Sequence, residues 1–153
     1  MAKKGTEQVE VNNELVHGAY QNLADMVSHH FESAMEVVGE YLLEFFFDHD
    51  IELLRTKKPS QKESFNQLIN QIENKSSIIP SKSWIYQSME LVVQSHDLSK
   101  KGFKIYRMYG EISLNHKLSL LTTNNLDTKI KLIKEIINKN FSDSDVKKLN
   151  SDY

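Results

Sequence analysis

Between Gly110 and Leu149 apolar residues recur at helical spacing, and each change of direction carries a residue suited to end or begin a helix. Ser113 precedes Leu114, Leu118, Leu120 and Leu121, the arrangement of an N-cap followed by a buried face. Asn124 and Asn125 interrupt that pattern, as residues that tolerate turns do. Asp127 is suited to cap a second helix, whose apolar positions Ile130, Ile133, Ile136 and Ile137 have lysines between them. Asn140 suits the left-handed position after a helix end. Ser142, with Asp145 three residues on, approximates a capping box for a last short helix that turns Val146 and Leu149 inward. Three short helices with tight turns are expected here.

The rest of the chain also reads as helix. Two prolines and five glycines among 153 residues leave few interruptions. From Glu14 to Phe47 there is no proline, and Leu23, Val27, Phe31, Ala34, Val38, Tyr41, Leu42 and Phe45 recur mostly at steps of three or four. That predicts one long helix of up to ~34 residues, ~50 Å, with Gly18 and Gly39 as places where it could break. Such a helix packs into the chain's own core or forms a dimer seam. Phe45, Phe46 and Phe47 cannot all face one side, so at least one is expected at the surface unless Ile51–Leu54 or a partner covers it. Asp48-His49-Asp50 makes a turn, and Arg55–Pro59 is a basic linker. The expected division is therefore an acidic arm over 1–54, for dimerisation or partner binding, and a basic helical domain over 55–153.

Within the second part, Ser60-Gln61-Lys62-Glu63 has the form of a capping box, opening a helix with Phe65, Leu68, Ile69 and Ile72 inward. A polar loop follows, and Pro80-Ser81-Lys82-Ser83 opens another helix with Ile85, Met89, Val92 and Val93 inward. Two helices and their connection give the layout of a helix-turn-helix, with a loop longer than usual. Asp97–Gly102 reads as a connector. The overlapping stretch Ser99–Tyr109 has four basic residues, no acidic residue and three aromatics. Basic residues interleaved with aromatics suit a nucleic-acid backbone. The same pattern also suits a short amphipathic helix that buries Phe103, Tyr106 and Tyr109 and leaves the lysines solvated.

Charge is unevenly distributed. The net charge of −2 combines Lys3 and Lys4, eleven acidic residues with no Lys or Arg over Thr6–Leu54, and seventeen Lys or Arg with ten acidic residues over Arg55–Tyr153. Either the two parts present surfaces to different partners, or they neutralise one another. Along the expected long helix, Glu32, Glu36, Glu40 and Glu44 form an i,i+4 line without basic partners on that helix.

The pattern G-x-I-S-x-x-H-x-x-x-L-L, carried by Gly110, Ile112, Ser113, His116, Leu120 and Leu121, resembles the helical region of ParB/KorB-type partition proteins. Phe141-Ser142 and Val146–Leu149 stand where that family has a hydrophobic residue, a serine and a short helix about twenty residues on. Ser83 precedes Gly110 by 27 residues, close to where the family places its recognition helix. The S-x-x-H-x-x-x-L-L segment is also similar to the N-terminal helical domain of YhcG-type nucleases. The resemblance spans roughly residues 64 to 149 and implies DNA binding. Neither the nucleotide-binding domain of the first family nor the nuclease domain of the second has a counterpart in the sequence.

No catalytic constellation emerges. There is no cysteine, hence no disulfide, thiolate metal site or Cys nucleophile. No phosphate-binding loop or H-E-x-x-H motif occurs. Glu14-x-x-His17 lacks the second copy and further glutamates of a di-iron bundle. Asp48-His49-Asp50 reads as a cap or turn rather than a cation site. No apolar run is long enough to span a bilayer, and MAKKGTEQ lacks the core of a signal peptide, so a cytoplasmic location is expected.

These readings converge on an all-α, non-enzymatic DNA-binding protein of regulator or partition type, without cofactor or metal. The helix from Lys82 would carry Ser83, Tyr86 and Gln87 to base edges or phosphates, while Lys100, Lys101, Lys104, Arg107 and Lys117 hold backbone. A homodimer or a protein partner would form through the acidic helix. The alternative is a helical adaptor or regulator acting through that acidic helix and the Phe cluster, without nucleic acid. An overall pI of about 6.3 and only two arginines, Arg55 and Arg107, favour that alternative.

Overall fold

The computed structural model of the protein describes residues 10–29, 33–75 and 78–139. Those residues form eight α-helices and no strand. The helices are α1 (Asn13–His29), α2 (Ala34–Phe46), α3 (Ile51–Arg55), α4 (Lys62–Lys75), α5 (Lys82–Ser99), α6 (Phe103–Glu111), α7 (Leu114–Leu120) and α8 (Leu126–Lys139). The all-α expectation holds. The expected helix over Ser142–Leu149, the cap at Asn140, and Glu32 of the glutamate line lie outside the described residues. The chain divides into two compact units, Met1–Glu90 and Leu91–Tyr153, and the division falls inside α5. The units therefore part at 90/91, whereas the sequence suggested a boundary near residue 54; Arg55–Pro59 lies within the first unit.

In the first unit the expected long helix is two helices, and neither Gly18 nor Gly39 ends one. They fold back on each other: Asn22 on α1 donates through Nδ2 to the hydroxyl of Tyr41 on α2 at 3.2 Å. On one straight helix these residues would lie about 28 Å apart. α1 packs on α2 and α4. Its start is fixed by Asn12, whose side-chain oxygen accepts from Leu15 N–H at 3.0 Å while its own N–H donates to Ser64 Oγ on α4 at 2.8 Å.

The three phenylalanines separate as steric reasoning requires. Phe46 and Phe47 are fully buried, and Phe45 stays 43% exposed, its ring beside Tyr41 at 4.6 Å. Phe47 lies just past the helical residues of α2, with φ −129°, which lets it turn inward beside Phe46. Both rings meet Phe65 of α4 edge-on, at 5.8 and 5.4 Å. Each buried ring contributes about 1.5–3 kcal/mol by leaving water, and such ring pairs add about 0.5–1.5 kcal/mol. Asp48 and His49 adopt left-handed backbone to make the turn, and Asp50 caps α3 by accepting from Glu52 and Leu53 N–H.

Ser60 does not close the expected capping box. Its N–H and its hydroxyl both donate to the carbonyl of Phe46, at 2.9 and 3.2 Å, so the residue anchors the chain to the end of α2. The first turn of α4 closes instead from Phe65 N–H to the Gln61 carbonyl. The segment Pro80–Ser83 opens α5 as expected, and within it Ser81 is the cap, accepting from Trp84 N–H at 3.1 Å.

In the second unit Leu98, Ile105, Tyr109, Ile112, Leu120, Leu132, Ile133 and Ile136 form one core, and α6 packs on α8. Ser113 caps α7 by accepting from His116 N–H at 3.1 Å. Asn125, not Asp127, caps α8, accepting from Thr128 N–H at 3.0 Å. The helix starts one residue before Asp127, which sits in the first turn, where its charge favours the helix dipole. α5 continues through Asp97 and Leu98 to Ser99, so the connector is shorter than expected. Gly102 then holds φ +122° with ψ 155°, backbone essentially reserved for glycine, and starts α6.

Candidate nucleic-acid interface

The orientation of α6 is set from inside. Gln94, on the part of α5 in the second unit, is buried and donates through Nε2 to the Tyr109 hydroxyl at 2.9 Å and to the Lys117 carbonyl at 3.0 Å. Its Oε1 accepts from Lys129 Nζ at 2.6 Å. Both amide protons and the carbonyl oxygen are thereby satisfied, which a buried amide requires. Ile105 and Tyr109, four residues apart, are both buried and mark the inner side of α6.

At about 100° per residue, the opposite side carries Phe103, Lys104, Tyr106, Arg107, Gly110 and Glu111, all exposed. Phe103 is 74% exposed and Tyr106 42%, and they are the only large exposed hydrophobics among the described residues of this unit. The amphipathic-helix reading therefore holds for Tyr109 alone: Phe103 and Tyr106 are not core. The Arg107 guanidinium lies 5.7 Å from the centre of the Phe103 ring. That i,i+4 cation–π contact is worth about 0.5–1 kcal/mol at an exposed site and holds the ring and the charge side by side. Lys100 and Lys101, both exposed, precede the helix. The result is one short surface segment with four cations, two exposed rings and one carboxylate.

Lys117 does not belong to that surface. It is only 9% exposed, with its ammonium 5.0 Å from the centre of the Tyr109 ring and its carbonyl held by Gln94. A lysine in the middle of a short helix reads as solvated in sequence; here the cation covers the inner aromatic ring and is withdrawn from any ligand.

The other four expected contacts are in the first unit. Ser83 and Gln87 are exposed on the side of α5 away from the buried Ile85, Ser88 and Met89; Tyr86 is half-buried at the flank, and Lys82 is exposed at the start of the helix, in line with Ile85 and Met89. Tyr86 is held by an edge-on contact with Phe65, 6.2 Å between ring centres. Burial raises its phenol above the ordinary tyrosine value, and the nearby Glu73 carboxylate raises it further. It is thus a neutral hydrogen-bonding group at physiological pH. Trp84 is half-buried.

The sequence reading left Phe103 and Tyr106 out of the candidate contacts. The signal that finds them is the i,i+4 pair Ile105 and Tyr109, which assigns the inner face and leaves the other two aromatics outside. Among the described residues no group of three or more histidine, aspartate or glutamate side chains could hold a metal ion. No helix of the described residues is long and apolar enough to cross a membrane. No protein-family model matches the chain, and no curated protein or solved structure proves similar to it.

Proposed function

We propose that this is a non-enzymatic DNA-binding protein of regulator or partition type, which engages DNA through the outer face of α6 and the lysines before it. The observation that carries the reading is the exposure of Phe103 and Tyr106 among Lys100, Lys101, Lys104 and Arg107. Exposed rings between cations match what binds unpaired nucleotides: bases stack on the rings, at about 1–3 kcal/mol per base, and phosphates track the charges. The reading therefore favours DNA with unpaired bases over a closed duplex, whose bases are already stacked. Ser83 and Gln87 share a second exposed polar face, suited to phosphates or base edges, and Lys82 adds a cation at the start of that helix. The partition-family resemblance agrees with a DNA role and rests on the motif residues alone.

Fluorescence anisotropy with a single-stranded oligonucleotide and its duplex tests this. The single strand is expected to bind more tightly, and Phe103→Ala/Tyr106→Ala is expected to remove that preference. Equal binding of both forms, unchanged by the double substitution, contradicts the stacking role.

A second reading has its own observation. Phe45 is exposed, its ring tilted against that of Tyr41, near the exposed Glu40 and Glu44 of α2. An apolar ring framed by carboxylates suits a basic protein partner or a second copy of the chain. Under that reading a Phe45→Ser variant loses the partner and retains DNA binding.

A further inference from the structure

The first unit contains a cleft that the DNA reading does not use. It is about 430 Å³ in volume, within the range of small-molecule sites, and opens between the end of α3, the start of α4 and α5. Lys57, Lys58 and Lys62 supply cations, Pro59 and Phe65 apolar surface, and Asn66 and Tyr86 neutral polar groups.

The way the chain reaches this cleft is unusual. Lys58 N–H donates to the Leu53 carbonyl and Lys57 N–H to that of Leu54, at 2.9 and 3.2 Å. This pair of bonds closes a helix with a left-handed residue, commonly glycine. Here the residue is Lys57, with φ +60°. The turn presents Lys57 to Glu90 on α5, with Nζ 3.3 Å from Oε2. One of the three cations is thereby balanced. Lys58 and Lys62 are exposed, and among the described residues neither is in an ion pair. No carboxylate lines the cleft.

Two uncompensated cations match a phosphate monoester, which carries about −1.5 to −2 charges at pH 7. Lysine ammoniums serve as point-charge phosphate ligands. Against the apolar surface of Pro59 and Phe65, with the Asn66 carboxamide and the Tyr86 hydroxyl beside it, a flat heteroaromatic body finds both a face and an edge to bond. We propose that the cleft bounded by Lys58, Lys62, Phe65 and Tyr86 binds a nucleoside phosphate. An inorganic anion would leave the apolar surface uncovered, and a neutral nucleoside would leave the charges unmatched. The same chemistry is offered by a free mononucleotide and by the 5′-terminal nucleotide of a DNA strand.

The test is a nuclear magnetic resonance titration of the full-length ¹⁵N-labelled protein with AMP, adenosine, inorganic phosphate and a short 5′-phosphorylated deoxyoligonucleotide. AMP is expected to give saturable shifts at the amides of residues 57–66 and 86, at least about tenfold tighter than adenosine or phosphate. Lys58→Ser/Lys62→Ser should weaken AMP binding about tenfold or more, and Tyr86→Phe should weaken it less, both with otherwise native spectra. If the oligonucleotide shifts the same amides at lower concentration than AMP, the strand end is the ligand; if not, the free mononucleotide is. Lys100→Glu/Lys104→Glu should leave the AMP titration unchanged, which keeps this site separable from the α6 surface. No saturation up to about 10 mM AMP, or equal affinity in Lys58→Ser/Lys62→Ser, overturns the proposal.

Discussion

Gln94 donates through Nε2 to the phenolic oxygen of Tyr109 at 2.9 Å, and this bond holds Tyr109 on the inner side of α6. Three aromatics recur every third residue along that helix, and only the one bonded to Gln94 is buried; Phe103 and Tyr106 are left outside. The outward surface of α6 follows from helical spacing once Ile105 and Tyr109 are buried, and Gln94 supplies the partner that the buried Tyr109 hydroxyl needs. Replacing Gln94 with leucine keeps the volume and removes every bond of the hub. The Tyr109 hydroxyl and the Lys117 carbonyl then lose a buried donor, so urea denaturation should register a loss of about 2–3 kcal/mol.

Gly102 and Gly110 should respond in opposite directions to alanine. Gly102 has φ +122° and ψ 155°, which a side chain resists, so Gly102→Ala is expected to cost about 1–3 kcal/mol. Gly110 lies within α6, and a Cβ there meets nothing within 4 Å. Gly110→Ala should stabilise by about 0.5–1 kcal/mol, because it reduces the entropy of the unfolded chain and opposes nothing in the folded one. Thermal unfolding of both variants checks the pair.

Lys117 separates charge from position. It carries the same charge as Lys104, but it is buried over Tyr109 while Lys104 is exposed. Lys117→Met should leave DNA affinity within about twofold, while Lys104→Met should lower it several-fold at low salt. Anisotropy titrations at one salt concentration compare the two directly.

Tyr86 gives the pH prediction. Its phenol is raised in the folded protein, first by burial and then by Glu73. A raised tyrosine in the native state means that the unfolded chain loses its proton first as pH rises. Its contribution to stability is therefore complete below pH about 10 and declines as pH rises through the native value. In a spectrophotometric titration Tyr86 should ionise late among the tyrosines, and Tyr86→Phe should remove that late step. If the variant loses an early step instead, the burial of Tyr86 against Phe65 is wrong.

Local signals were legible where one residue decides one feature. Ser81 and Ser113 cap the helices they precede, and Phe45 to Phe47 split as a helix end demands. Reading failed where a distant group decides. No glycine or proline marks the end of α1, and its apolar pattern continues into α2, so the sequence does not show where one helix ends and the next begins. Ser60 has the right neighbours for a capping box, yet its hydroxyl is taken by the Phe46 carbonyl. Asn125 and Asp127 are both good caps by residue type, and the helix begins after the first. Phe103, Tyr106 and Tyr109 look alike by residue type; the i,i+4 pairing with Ile105 singles out Tyr109, and the bond from Gln94 that satisfies its buried hydroxyl has no local signal. Lys117 was misjudged for the same reason, since its partners Gln94 and Tyr109 are distant in sequence. The lysine cleft also needs a tertiary contact, the meeting of Tyr86 with Phe65.

If the four cations on and before α6 bind phosphates as proposed, the salt dependence of affinity measures their number. For single-stranded DNA, four phosphate contacts give a slope of about −3 in log K against log salt, a loss of roughly fiftyfold between 50 and 200 mM. Lys100→Glu/Lys104→Glu should at least halve that slope and weaken binding at low salt, with thermal stability close to the parent. A shallow slope in the parent protein, or one the charge reversal leaves unchanged, contradicts the assignment and leaves the exposed Phe45 face of α2 as the surface to pursue.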